Sequence, residues 1–103
     1  MSNKYGARRT WSNLWQRWFA SKAEHDRATD LFLLQTAGEI SNLEFQPKFI
    51  LCDKPKITYS ADFKYLEGNK IVVEDVKGVL TRECRIKIAW IKEKFDIEVR
   101  LVR

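Results

Sequence analysis

The chain has 103 residues, 45% of them hydrophobic and 32% charged, which is the size and composition of one folded domain with a modest core rather than of a disordered chain. No apolar run approaches the roughly 20 residues of a membrane-spanning helix, so no membrane association is expected. Nineteen Lys and Arg against fourteen Asp and Glu give a net charge of +5 and a pI near 9.4, which suits a polyanionic partner, nucleic acid being the commonest.

The N-terminus carries no apolar stretch of the secretory kind, so a cytoplasmic location is expected. Residues 1–18 read as a basic and aromatic arm ahead of a domain over 19–103. Lys4, Arg8, Arg9 and Arg17 are interleaved there with Tyr5, Trp11, Trp15 and Trp18. Such a mixture suits an arm that tracks a phosphate backbone and stacks on bases. Alternatively, Trp15 and Trp18 close the core of a small domain. Ser21 is placed to cap a helix, with Glu24 at the capping-box position. Ala28, Leu31, Leu34 and Gln35 follow at helical spacing, and Gly38 is placed to end the helix. Residues 43–51 favour a strand, in which Pro47 signals an edge or a bulge. After Asp53-Lys54-Pro55, strands over 57–66 and 70–76 flank a Gly68-Asn69 turn. Gly78 ends the third strand. Thr81 caps a second helix to about Phe95, with Ile86, Ala89, Trp90 and the stem of Lys94 on its apolar side, and 97–102 alternates as a last strand. The expected order is α-β-β-β-α-β, an α/β (α+β) chain on a central mixed sheet.

Cys52 and Cys84 form no CxxC pair and read as two reduced thiols. His25 is the single histidine, which argues against zinc and excludes a histidine-dyad phosphodiesterase within one chain.

The turn registers the hairpin. With Gly68 and Asn69 as the loop, residues whose numbers sum to 137 face each other, so Asp62 stands opposite Asp75 and Ser60 opposite Lys77. A three-residue loop would place Glu74 there instead. Directly opposed side chains have Cβ atoms roughly 4.5–5.5 Å apart, where like charges repel. Two carboxylates so placed call for a cation or a raised pKa. Alternation puts Asp75 and Lys77 on one face and Glu74 with Val72 and Val76 on the other. Paired carboxylate oxygens beside the Val76 backbone carbonyl make a hard-oxygen site suited to Mg²⁺, or to Mn²⁺, and a water activated there attacks phosphodiesters. Lys77 is suited to orient or deprotonate that water, or to offset charge on the phosphorane. The bland alternative is an exposed strand face, since Asp-x-Lys is a common tripeptide.

Ala61-Asp62, thirteen residues before Asp75-Val76-Lys77 on neighbouring strands, resembles the core motif of the PD-(D/E)XK nucleases. Several stretches, in order, are similar to a phage and prophage domain family regarded as Holliday-junction-resolvase-like endonucleases. They are Asn3-Lys4-Tyr5-Gly6-Ala7, Phe19-Ala20-Ser21-Lys22-Ala23-Glu24, Leu43-Glu44-Phe45-Gln46-Pro47-Lys48-Phe49, Ile57-Thr58-Tyr59-Ser60-Ala61-Asp62-Phe63 and Val72-Val73-Glu74-Asp75-Val76-Lys77-Gly78. The resemblance implies a restriction-endonuclease-like core. It also implies that Asp62 and Asp75 hold the divalent ion, that Lys77 is the catalytic lysine and that Glu24 is a further acidic residue of the centre. Helical spacing agrees for Glu24, which falls in line with Ala28, Leu31 and Gln35, although a capping role toward Ser21 also explains it. Gln46 is a candidate to line the site or an ordinary strand-face glutamine. Lys22, Arg85 and Lys87 join Lys4, Arg8, Arg9 and Arg17 as candidates for DNA contact, with a solvated helix face as the alternative for Arg85 and Lys87. The chain departs from the pattern at Ala61, where the motif has its proline, and in lacking a glycine turn between Trp11 and Trp18.

The expected activity is Mg²⁺-dependent hydrolysis of DNA, branched or duplex, in the manner of a junction resolvase. Such an enzyme cuts two strands symmetrically and so calls for a homodimer, in the bacterial host cell if phage-encoded. The alternatives are a nickase or DNA-end nuclease serving phage replication or packaging, a non-catalytic DNA-binding module, and a regulator that binds a protein through the aromatic N-terminus.

Overall fold

The computed structural model describes residues 8–102. Lys4, Tyr5 and the stretch over residues 3–7 lie outside them. In chain order the elements are β1 (Thr10–Ser12), β2 (Arg17–Phe19), α1 (Lys22–Thr36), β3 (Ser41–Phe45), β4 (Lys48–Cys52), β5 (Ile57–Ser60), β6 (Phe63–Glu67), β7 (Lys70–Val76), α2 (Arg82–Phe95) and β8 (Val99–Val102). A mixed sheet with strand order β3-β6-β7-β8 forms the centre; β7 pairs antiparallel with β6 and parallel with β8, the α2 crossover lying between. Two smaller ribbons, β1-β2 and β4-β5, complete the α/β arrangement. Among the described residues no helix is long and apolar enough to cross a membrane.

The two long strands expected between the helices are each broken once, and the breaks face each other. Pro47 has no N–H to give to a ladder, and Gln46 before it takes a left-handed φ of 54°. Opposite them the chain bends at Ala61 and Asp62. The amide of Gln46 donates to the Asp62 carbonyl at 2.9 Å, and the amide of Ala61 to the Pro47 carbonyl at 3.1 Å. The two segments therefore kink together. β3 remains as an edge of the mixed sheet, paired with β6, while β4 and β5 turn away as a separate ribbon. One consequence corrects the register beyond the bend: Ser60 faces Lys48 in that ribbon rather than Lys77.

Within β6-β7 the register is the one the turn dictates, from Glu67 opposite Lys70 to Phe63 opposite Glu74. Gly68 carries the turn at φ 63°, and a Cβ there would meet no atom within 4 Å. Gly68→Ala should therefore cost only the left-handed backbone, about 1 kcal/mol, read as a lower urea midpoint with an unchanged slope.

α1 starts as expected. The Ser21 hydroxyl accepts the Glu24 amide at 3.1 Å. At the other end Gly38, at φ 80°, and Glu39 donate to the carbonyls of Gln35 and Leu34, the 5→2 and 6→1 pair of a Schellman ending. Glu24, Ala28 and Leu31 face inward, and the Gln35 side chain accepts the Leu43 amide of β3. α2 turns to the sheet a face that is only in part the one its sequence suggested: Trp90 packs against the cluster there and the Lys94 ammonium donates to the Leu51 carbonyl at 3.1 Å. Ile91 is fully buried, with Ile88 and Cys84 one and two turns before it, whereas Ile86 and Ala89 point outward.

Two apolar clusters flank the sheet. One holds Phe19, Ala28, Leu31, Phe63, Tyr65 and Val72 beneath α1; the other holds Leu51, Tyr59, Ala61, Val73 and Ile91 beneath α2. Each fully buried large side chain contributes about 1.5–3 kcal/mol. The described part of the expected arm is a hairpin lying on the first cluster. Trp15 packs edge-on against Phe32 and Phe45, and its indole N–H donates to the Ala28 carbonyl at 3.1 Å. Trp15 thus closes the core; Trp18 stays exposed.

Candidate active site

Asp75 lies near the end of β7 on the face toward α2, 1% exposed. Asp62 leads into β6 at the bend, its amide bonded to the Glu74 carbonyl at 3.0 Å, which continues the hairpin register by one residue. The two carboxyls come close enough for each to act on the other's ionisation. Two like charges at close range out of water repel strongly. Burial, the bond to Asp75 and the nearby charge of Glu24 accordingly raise the Asp62 carboxyl to about 8. The amide of Val76 donates to Asp62 Oδ2 at 2.7 Å and ties the strand to the bend.

Three further side chains converge. Lys77 Nζ lies 3.5 Å from Asp75 Oδ2, and the lysine's amide donates to the Val102 carbonyl of β8. Burial alone would lower its pKa, but the charge of Asp75 and the neighbouring groups outweighs this and raises it, so the ammonium stays charged. Tyr59, buried on β5, donates its hydroxyl to the same Asp75 oxygen. Burial and that bond push the phenol well above its ordinary range. Glu24 comes from the first turn of α1. Burial raises its pKa, as does the charge of Asp75, against Arg17, a hydrogen bond from Ala20 and Lys77. Its amide serves the Ser21 cap, while its carboxyl lies in the field of Asp75, Arg17 and Lys77.

The remaining candidates divide. Arg17 lies over the Phe45 ring at 4.7 Å and near Glu24, beside the cluster. Lys87 lines a polar cleft of about 210 Å³ with Tyr59, Ser60, Lys77, Thr81 and Cys84, its ammonium 3.4 Å from Glu83. Arg85 faces a separate groove with Leu80, Ile88 and Lys92. Lys22 pairs with Asp26 at 2.7 Å on the surface. Gln46 sits at the kink with an exposed side chain and touches the cluster through its amide alone. Arg8 and Arg9 are exposed on the hairpin.

Two features escaped the sequence reading. Tyr59 is one; its alternation with Ile57 and Ala61 places it on the inner face and was the available signal. The other is Glu74, fully buried on the opposite face of β7. Arg27 grips it with two bonds of 2.8 and 2.7 Å, and Tyr65 donates to it as well. With its charge paired and its oxygens bonded, Glu74 is a structural carboxylate, and α1 is pinned to the sheet through it.

A divalent ion fits the chemistry of the donors. A cation would neutralise two carboxyls held against each other, and Asp62 is only partly buried. Among the described residues no three acidic, histidine or cysteine side chains stand close enough to enclose an ion, so Glu24 acts on the pair through its charge. An ion held by one or two carboxylates, with water and phosphate completing its shell, is the usual setting of magnesium. No curated protein and no solved structure matches the chain. A family model does, and it spans the hairpin, both helices and every residue of the cluster: over residues 2–102 the chain belongs to the family described as a protein of unknown function (DUF1064).

Proposed function

We propose that this chain is a metal-dependent DNA endonuclease of the PD-(D/E)XK kind, cutting phosphodiester bonds at the cluster of Asp62, Asp75, Lys77 and Glu24, with a preference for branched DNA. One observation carries the reading: two carboxyls forced together at the bend and the end of β7, with a charged lysine 3.5 Å from one of them. A core does not place like charges together without a task for them, and the buried pairing of Glu74 with Arg27 illustrates the ordinary solution. The sequence resemblance supports the same four residues.

Asp62 and Asp75, with the carbonyl of Val76, would hold Mg²⁺ or Mn²⁺. The bound ion would polarise the scissile phosphate and acidify the attacking water. Tyr59 fixes one oxygen of Asp75 by its hydroxyl and so holds the carboxyl in place. The raised pKa of Lys77 favours orienting the water and offsetting charge on the phosphorane over a role as base. Glu24 keeps the field at the mouth of the site negative. Lys87, in the cleft beside Lys77, would be a basic contact for the strand being cut. A resolvase reading implies a homodimer with two centres, and the two free cysteines fit a reducing cytoplasm.

A labelled four-way junction and a linear duplex of matching sequence, each incubated with Mg²⁺ or with EDTA, test the proposal. Paired symmetric cuts in the junction alone, lost in EDTA, are expected. Equal cutting of both substrates keeps the nuclease and removes the junction preference. Binding without cutting in Mg²⁺, or in Mn²⁺ put in its place, leaves a non-catalytic DNA-binding module.

A further inference from the structure

Two of the four tryptophans stand on the outer face of the β1-β2 hairpin. Trp11 and Trp18 are cross-strand partners, edge to face, with ring centroids 5.5 Å apart. They are 40% and 51% exposed. The neighbours that point inward, Ser12 and Phe19, are buried, and Trp15 anchors the hairpin to α1. The outer pair therefore takes no part in closing the core. Two indoles left in water beside each other mark a binding surface.

Charge identifies the partner's chemistry. Residues 8–20 contain three arginines and neither Asp nor Glu. The guanidinium of Arg9 lies 4.9 Å from the centroid of the Trp18 ring. Indoles flanked by cations, with no acid among them, match a strand of nucleic acid whose bases lie on the rings and whose phosphates meet the arginines. Bases in a continuous duplex are stacked on each other and offer no free face to an indole, so the partner must present unpaired bases. Arg17 connects this surface to the carboxylate cluster, being on the same strand as Trp18 and turned toward Glu24.

We infer that Trp11 and Trp18, with Arg8 and Arg9, form a stacking platform for unpaired DNA bases, which makes a single-stranded segment part of the substrate. The inference deepens the nuclease reading and rests on it for the class of partner. It accounts for structure selectivity: an opened junction centre, a flap or a frayed end supplies such bases, and an intact duplex does not.

The test uses the full chain in EDTA, so that binding is read apart from cutting. A short oligothymidylate is titrated against tryptophan fluorescence and compared with a duplex of equal length. Quenching and tighter binding of the single strand are expected. Trp11→Ala with Trp18→Ala should weaken single-strand binding about tenfold or more and leave duplex binding unchanged. Trp11→Phe with Trp18→Phe, which keeps aromatic faces, should retain most of the preference, and Arg8→Gln with Arg9→Gln should flatten the dependence of affinity on salt. Unchanged single-strand binding in the alanine variant overturns the platform. So does a preference for duplex, or a variant that changes only the oligomeric state by sedimentation, which would make the patch a protein interface. A wild-type chain that binds single strands through these tryptophans but cuts nothing in any metal would sink the nuclease reading and leave the platform standing. Cutting unaffected by the tryptophan variants would do the reverse.

Discussion

Asp75→Asn should reduce DNA cleavage by at least 10²–10³-fold while leaving DNA binding in place. That is the scale on which a single electrostatic contact to a transition state acts. Asparagine keeps the size of the side chain and can still accept the Tyr59 hydroxyl and donate to Asp62, so the loss reports charge rather than shape. The same substitution should raise the melting temperature in EDTA at pH 8, because it removes one of two carboxylates that repel each other. The paired outcome is diagnostic, since a residue kept for stability does not destabilise the fold it sits in. Retained cleavage in Asp75→Asn would move the reaction away from this cluster. A large fall in melting temperature would make Asp75 a structural partner of Lys77.

The second large effect is on the pH dependence of folding. The Asp62 carboxyl rises from an ordinary value near 3.8 to about 8, so between those limits the folded chain binds a proton that the unfolded chain has released. Its contribution is fully present below pH 3.8 and is lost as pH climbs to about 8. While the proton difference is complete, stability falls by about 1.4 kcal/mol per pH unit. Urea unfolding in EDTA at several pH values should show this decline, and Asp62→Asn should flatten it. Mg²⁺ or Mn²⁺ should stabilise the protein more at pH 8 than at pH 5, since protons compete with the ion at the lower pH. A stability that is level or rising across the window in EDTA would mean that the pair holds no proton.

The parts of this architecture that short-range signals control were legible in the sequence. Gly68-Asn69 pins the β6-β7 register, and through it the juxtaposition of Asp62 with Asp75. Ser21 and Gly38 set the ends of α1. What stayed hidden depends on partners distant in the chain. Nothing within 57–66 breaks a strand; the bend at Ala61 and Asp62 is imposed by Pro47 on the neighbouring strand. Along α2 the apolar residues Ile86, Ile88, Ala89, Trp90 and Ile91 wrap more than half the helix, so periodicity admits two inward faces, and contact with Leu51 and Val73 chose Ile91. Tyr59 reads as an ordinary strand tyrosine until the β4-β5 ribbon turns and brings its hydroxyl to Asp75. Likewise the aromatic run at the N-terminus carries two roles that sequence alone does not separate, Trp15 inside and Trp11 with Trp18 outside.

The mutual kink has a mechanical meaning. Odd-numbered residues from Ile57 to Tyr65 all lie on the inner side of their strands, yet Ile57, Tyr59 and Ala61 pack beneath α2 while Phe63 and Tyr65 pack beneath α1. Asp62 is the point of exchange, seated on the seam where two independently packed layers meet. Its distance to Asp75 is therefore a vernier reading of how those layers are aligned. A methyl group added to or removed from either layer can leave the molecule folded and still detune the pair, because a displacement of about 1 Å at reacting groups costs on the order of 10²-fold in rate. In a chain this small, tolerance for change in the interior is set by alignment across that seam before it is set by stability.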